Sequence, residues 1–235
     1  MKVEIWSDIA CPFCYIGKRR FENALEQFAH KDTVQVEWKS FQLDPEMKQV
    51  PGQNIYESLA GKKGWTPEQA KGLFAQVVSM AAAEGLDYNM DATVPANTLN
   101  AHRLTHLAAQ HGLQDAAEER LFQAYFMEGM DIQDTETLVR LGIDIGLQEE
   151  AVRDLLAGGA FTYEVREDIA KAQQIGVRGV PFFVIDGKYA VSGAQPVELF
   201  LQALQTARAE WEKANPPVSV LEGDGPSCDL AGNCD

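Results

Sequence analysis

Cysteine is scarce in this chain: four residues among 235, in two close pairs, Cys11 with Cys14 and Cys228 with Cys234. Such usage argues against a disulfide framework, and at 46% hydrophobic residues a chain of this length buries a core without covalent staples. Basic residues are scarce as well. Twenty Lys and Arg stand against 35 Asp and Glu, a formal charge of −15, and no basic cluster exceeds Lys18-Arg19-Arg20. That balance excludes a protein built to neutralise phosphates, so no nucleic-acid partner is expected. Long uncharged apolar runs are missing too. Val77 to Ala83 is among the more apolar stretches and already ends at Glu84, far short of a bilayer span of about 20 residues, so no membrane partner is expected. The first apolar run begins almost at Met1, which leaves no room for a charged n-region, an apolar h-region and a cleavage site; a cytoplasmic location is the expectation. In a reducing compartment, two isolated pairs of cysteines point to redox or metal chemistry rather than to structural bridges.

What is present centres on Cys11-Pro12-Phe13-Cys14. The motif lies between Val3-Glu4-Ile5-Trp6, which reads as a strand, and a helical run expected from Tyr15 to His30. At a strand-to-helix junction the free N–H groups and positive dipole end of the helix favour an anion, so Cys11 is the candidate nucleophile. Positions three apart on a helical turn are neighbours, and a disulfide tolerates Cα separations of about 4.4–6.8 Å, so Cys14 is the candidate resolving thiol. Zinc is the competing reading. It needs four ligands, and the second cysteine pair is the only evident source of two more.

Val34 to Phe41 alternates apolar and polar residues and reads as a second strand, stopped by Asp44-Pro45, which completes a βαβ unit. Helical signals then run from about Asn54 to Gln174. Thr66-Pro67-Glu68-Gln69 supplies an N-cap, a proline at N1 and a capping-box Gln for a helix reaching Gly85. Asn97 to His111, Asp115 to Gly129, Asp134 to Gly146 and Glu149 to Gly158 follow the same cap-to-glycine pattern. The β period returns in Val180 to Ile185; Asp186-Gly187 is a hairpin turn, Lys188 to Ser192 the returning strand, and Pro196 opens a helix to about Lys213. The expected class is therefore α/β. Residues 1–45 and 175–214 form one domain with a four-stranded sheet, residues 46–174 a large all-helical insertion, and residues 215–235 a flexible cysteine-containing tail.

Three stretches together resemble the DsbA-type thioredoxin-fold family, and more narrowly its FrnE-like cytoplasmic members. They are Ser7 to Gly17 around the CPFC motif, Asn97-Thr98 with Ala101-His102-Arg103, and Gly176 to Val184 with Val191 to Gln195. The resemblance spans about residues 2–213 and implies a thioredoxin-like fold with thiol–disulfide oxidoreductase or isomerase activity through Cys11 and Cys14. It also gives Pro181 the place of the family's cis-proline facing the CxxC motif, a geometry that X–Pro bonds accommodate at small cost. Val180 would then present its backbone to an extended client, with Pro12 and Phe13 as further contacts. His102 is a candidate for tuning the thiols, since a charge near a thiolate shifts it, although a helical histidine is more commonly partly exposed. FrnE-like proteins can carry a C-terminal cysteine pair, here with five residues between Cys228 and Cys234 rather than four. A linker from Asn215 to Ser227 reaches roughly 40 Å at about 3.3 Å per residue, enough for a redox relay to the active site; a structural or metal-assisted clamp is the alternative.

The partners expected are client proteins or low-molecular-weight thiols and disulfides, with no cofactor and no bound metal. His106 and His111 share the helix of His102 without an acidic ligand pattern, and Trp6, Trp38 and Phe182 are expected in the core. Two other functions compete. One is a glutathione-dependent small-molecule isomerase or transferase of the same superfamily, whose members place a serine where Cys11 stands. The other is a zinc-binding interaction module.

Overall fold

The computed structural model describes residues 1–216. Strand β1 (Lys2–Ser7) is buried along all but its first residue, because it lies second in a sheet ordered β2-β1-β3-β4 and is covered on both faces. Val3, Ile5 and Trp6 therefore have no exposed surface. Helix α1 (Pro12–Glu26) crosses over to β2 (Gln35–Ser40), which pairs parallel to β1 with Val3 opposite Val36 and Ile5 opposite Trp38. The helix starts three residues earlier than the Tyr15 expected and ends at Glu26 rather than His30. Pro12 occupies N1, where its fixed φ suits a helix start and its missing N–H costs nothing, so Cys11 becomes the N-cap.

Seven helices separate β2 from β3: α2 (Ile55–Lys63), α3 (Pro67–Ala83), α4 (Leu99–Gln110), α5 (Gln114–Phe126), α6 (Thr135–Asp144), α7 (Glu149–Ala157) and α8 (Thr162–Gln174). Asn54 with Glu57 and Thr66 with Gln69 close reciprocal capping boxes, and Asp134 accepts the Thr137 N–H. One cap moves. Thr98, not Asn97, is the N-cap of α4, and the Asn97 side chain instead accepts the Leu99 N–H at 3.0 Å. Strand β3 (Phe182–Ile185) returns antiparallel to β1, and the hairpin to β4 (Tyr189–Ser192) turns through Asp186 and Gly187 at φ 52° and 68°. Helix α9 (Val197–Ala214) then packs beside α1.

The architecture is thus a mixed α/β thioredoxin-like core with a large helical insertion. Two apolar clusters fill it. One lies between the sheet and the pair α1 and α9, where Phe183 meets Phe21 at 5.5 Å and Phe200 at 4.6 Å between ring centroids. The other fills the helical region and includes Cys11, Cys14, Tyr15 and Ile16. Helix α1 contributes to both, its first turn to the helical cluster and Phe21 and Ala24 to the sheet cluster, so the cysteines sit where the two meet. Trp6 and Trp38 are buried as expected, and Phe182 is half-buried against Trp6. Among the described residues no helix is long and apolar enough to cross a membrane. Cys228 and Cys234 lie outside the described residues.

Candidate active site

Strand β1 delivers the chain to Asp8, and Asp8 shapes the turn that follows. Its main-chain carbonyl accepts the Cys11 N–H at 2.9 Å, one side-chain oxygen accepts the Ala10 N–H at 3.3 Å, and the other accepts the Leu43 N–H at 2.7 Å. The carboxyl thereby ties the β1–α1 turn to the segment after β2. Cys11 and Cys14 are both free and buried, 4% and 1% exposed. Burial, and next the Cys11 sulfur beside it, push the Cys14 thiol well above its ordinary range. The Asp8 main chain and the Ser7 side chain beside the sulfur pull the other way.

The loop before β3 closes over the thiols. The Val180–Pro181 bond is cis, and the Val180 carbonyl lies 3.5 Å from the Cys11 sulfur. The Pro181 carbonyl accepts the Gly193 N–H at 2.8 Å, and Arg20 on α1 donates to the Ala194 carbonyl at 2.7 Å and to Glu84 at 2.6 Å, which ties the segment after β4 that meets Pro181 to α1 and to the end of α3. Gly17 makes the approach feasible. A Cβ there would stand 2.9 Å from Pro181 Cγ and 3.5 Å from Phe183 Cζ, and neither a proline ring nor a packed phenylalanine yields easily. Gly17→Ala is therefore expected to cost about 1–3 kcal/mol in chemical denaturation and to slow disulfide exchange by displacing Pro181; unchanged stability and rate would contradict this packing.

On the opposite side Tyr88 donates its hydroxyl to the Pro12 carbonyl at 2.7 Å. Its ring continues a stack from Phe122 to Tyr15 at 5.0 Å, Tyr15 to Tyr88 at 6.1 Å and Tyr88 to Phe126 at 4.8 Å. A cavity of about 670 Å³ opens beside Cys11, Pro12 and Phe13, walled by α2, α3 and the segment after β2. Phe13, Leu43, Trp65, Leu73 and Met80 all line it and all keep 36% or more of their surface exposed, so apolar surface is concentrated at this mouth.

His102 is fully buried rather than partly exposed, because α4 runs through the middle of the helical cluster and packs on several sides. Its Nε2 lies 3.4 Å from an Asp8 oxygen. His106 points elsewhere, at 3.0 Å from Ser40 Oγ and 3.2 Å from Asp168. Both contacts use the same ring nitrogen and Ser40 is buried, so this trio is no nucleophile relay. Burial opposes its charge, yet hydrogen bonds from His106 and the Ser40 N–H hold the Asp168 carboxyl below its usual range. Among the described residues no group of three or more His, Cys, Asp or Glu is placed to hold a metal ion.

Of the residues the sequence singles out, Cys11, Pro12 and Phe13 line this mouth, Val180 meets the Cys11 sulfur through its carbonyl, Pro181 packs on Gly17, and Cys14 lies buried behind them. Sequence reasoning assigned nothing to Asp8, Gly17 or Tyr88. Asp8 and Gly17 flank the motif but carry no spacing signal, and Tyr88 reaches the site from a loop far along the chain.

The model of the DSBA-like thioredoxin domain matches residues 2–205. The chain belongs to the DSBA-like thioredoxin family. Membership places it among DsbA-like thiol–disulfide oxidoreductases at the level of the superfamily. Among solved structures, this family member is similar to the probable DsbA oxidoreductase of Streptomyces coelicolor, with 42% identity, a TM-score of 0.85, and 100% of this chain and 98% of the other covered. The uncharacterized protein YwbO of Bacillus subtilis is 27% identical over 204 residues, 86% of this chain and 94% of YwbO. A 2-hydroxychromene-2-carboxylate isomerase shares the fold, at 17% identity and a TM-score of 0.66, with 93% and 100% of the two chains covered.

Proposed function

We propose that Cys11 and Cys14 run a two-thiol exchange cycle on client proteins or low-molecular-weight disulfides. The observation that carries this reading is the Val180 carbonyl 3.5 Å from a cysteine sulfur at a helix N-cap, beside an open apolar cavity. In the reductive direction the Cys11 thiolate attacks a client disulfide, forms a Cys11–client bond and expels one client thiolate. The positive end of α1 lies where that sulfur anion forms. Cys14 then loses its proton and attacks the Cys11 sulfur, so the Cys11–Cys14 disulfide closes and the second client thiolate leaves. Two electrons pass from the protein pair to the client. Run backwards, the same steps oxidise a client dithiol, and a reduced Cys11 that attacks a wrong bridge and yields to another client thiol isomerises it.

The Val180 main chain serves as the pairing edge for an extended client segment, and the exposed Phe13 with Pro12 supplies apolar contact beside the reacting sulfur. Within the family the chain fits the FrnE-like members by the residues from Ser7 to Gly17 and from Gly176 to Val184. A cytoplasmic setting, which goes with that group, favours reduction or isomerisation over bulk oxidation. A relay through Cys228 and Cys234 is tested by truncation before Cys228: slower recycling of the active-site pair supports it, and an unchanged rate removes the tail from the cycle.

The cavity favours one further reading, turnover of a glutathione-linked small molecule. Incubation of the reduced protein with a disulfide-bonded peptide separates the two. Cleavage of the peptide with matching loss of free thiols from the protein is expected. No exchange with peptide or small disulfides, together with isomerisation of a glutathione adduct, would replace the exchange cycle by the second reading.

A further inference from the structure

As a thiol, Cys11 donates to the Val180 carbonyl at 3.5 Å, and its side chain makes no bond to the helix it precedes. A thiolate has no proton to give that carbonyl and needs a donor instead. The Cys11 backbone, at φ −94° and ψ 111°, has the extended conformation of an N-cap, whose side chain accepts from the N–H of the second or third helical residue. Here the choice narrows to one. Pro12, first in the helix, has no N–H, and the Cys14 N–H, third, is held by the Cys11 carbonyl at 3.0 Å. Phe13 is second, and among the described residues no group accepts from its N–H.

That N–H shares a planar peptide unit with the Pro12 carbonyl, and the Pro12 carbonyl accepts the Tyr88 hydroxyl at 2.7 Å. In a trans peptide the two groups point opposite ways, so a donor on the carbonyl polarises the N–H on the far side. Tyr88 is held firmly in that position. It is 6% exposed, its ring stacks on those of Tyr15 and Phe126, and the neighbouring Asn89 N–H is bonded to the Phe126 carbonyl at 2.7 Å. Burial, and next the two cysteine sulfurs, push its hydroxyl upward, so it stays a donor. Tyr15 directly follows Cys14, so Tyr88 meets the motif on both sides, by its hydroxyl at Pro12 and by its ring at Tyr15.

We propose that Tyr88 is a positioning residue for the exchange cycle, fixing and polarising the Pro12–Phe13 peptide so that the Phe13 N–H receives the Cys11 thiolate. The inference rests on that cycle, in which Cys11 carries the charge when the pair is reduced. In the Cys11–Cys14 disulfide the sulfur is uncharged and asks for no donor. Tyr88 therefore favours the reduced pair over the disulfide, whereas a bond that only braces the fold would favour both alike.

Equilibration with reduced and oxidised glutathione at pH 8 tests this, using the full chain with Cys228 and Cys234 replaced by serine. Protein disulfide and two glutathione thiols exchange for protein dithiol and one glutathione disulfide, so the constant reads the stability of the reduced pair against the oxidised one. Tyr88→Phe keeps the stacked ring and is expected to lower the constant by about threefold, a potential about 14 mV more reducing. Asp8, Asp44, Lys62 and Lys63, the charged groups lining the same cavity, are the same in both proteins. Replacing Tyr88 by 3-fluorotyrosine, a stronger donor of nearly the same shape, should move the constant the other way, and it carries the test alone if Tyr88→Phe does not fold. A constant that neither change moves, even with lower stability towards urea, would reduce Tyr88 to a brace and leave the cycle standing. A parent protein that does not exchange with glutathione or with a disulfide-bonded peptide would sink the cycle and the inference with it.

Discussion

Serine in place of Cys11 leaves a folded protein that exchanges disulfides about a thousandfold more slowly or worse. The attacking species is a thiolate, and a serine hydroxyl at the same N-cap stays protonated and forms no disulfide. The fold tolerates the change for local reasons. The turn is held by the Cys11 N–H on the Asp8 carbonyl and by the Asp8 side chain, and these bonds involve no sulfur. The sulfur contributes burial instead, at 4% exposure, so the stability loss should stay within about 1–3 kcal/mol. Peptide-disulfide turnover and urea denaturation of the same preparation check both halves. A variant that retains more than a tenth of the parent rate would mean that another group attacks.

Glu118→Gln has the second largest expected effect, on stability rather than turnover. The Glu118 carboxyl is fully buried and its pKa stands at about 8 against an ordinary value of 4.5, chiefly through burial and then through Asp115. The sign follows from which state holds the proton. Below about pH 4.5 both folded and unfolded chains keep it and nothing depends on pH. Between 4.5 and 8 the unfolded chain loses the proton while the folded one retains it, so stability falls as pH rises, by on the order of 3 kcal/mol at pH 7. Above 8 both are ionised and the loss is complete. Glutamine cannot ionise, so the variant should lose less stability between pH 5 and 8 than the parent. The difference in slope is the test, because it is independent of any fixed cost of burying an amide. Parallel stability curves across that range would show that Glu118 is ionised in the fold.

Much of the architecture is legible in the sequence because its signals are local. Asn54, Thr66 and Asp134 cap the helices they precede, and Asp186-Gly187 turns the hairpin. The boundaries that moved have physical causes. Pro12 reads as an interruption between two cysteines, yet at N1 it starts the helix, and Cys11 is a cap with no side-chain bond to advertise it. Asn97 has the chemistry of a cap, but its side chain bonds the Leu99 N–H from one position outside.

The thiols and the proline loop were legible through their motifs, whereas the polar groups behind them were not. His102 and Glu118 sit on helices packed on more than one side, so the 3.6-residue period no longer separates buried from exposed positions. Asp8 acquires its neighbours only when the segment after β2 and α4 converge on it. The cavity is a similar product of distant pieces, the start of α1, the segment after β2 and the α2–α3 pair, and no single stretch encodes it. Gly17 was visible only as a motif letter until Pro181 came within reach of its missing Cβ.

The central claim is that Cys11 attacks and Cys14 resolves, and trapping tests it most directly. Cys14→Ser protein incubated with a disulfide-bonded client, quenched in acid and mapped by mass spectrometry should carry the client on Cys11, releasable by dithiothreitol, while Cys11→Ser should carry none. Client bonded to Cys14 in the Cys11→Ser protein, or no adduct on Cys11 in the Cys14→Ser protein under conditions where the parent exchanges, would contradict the account.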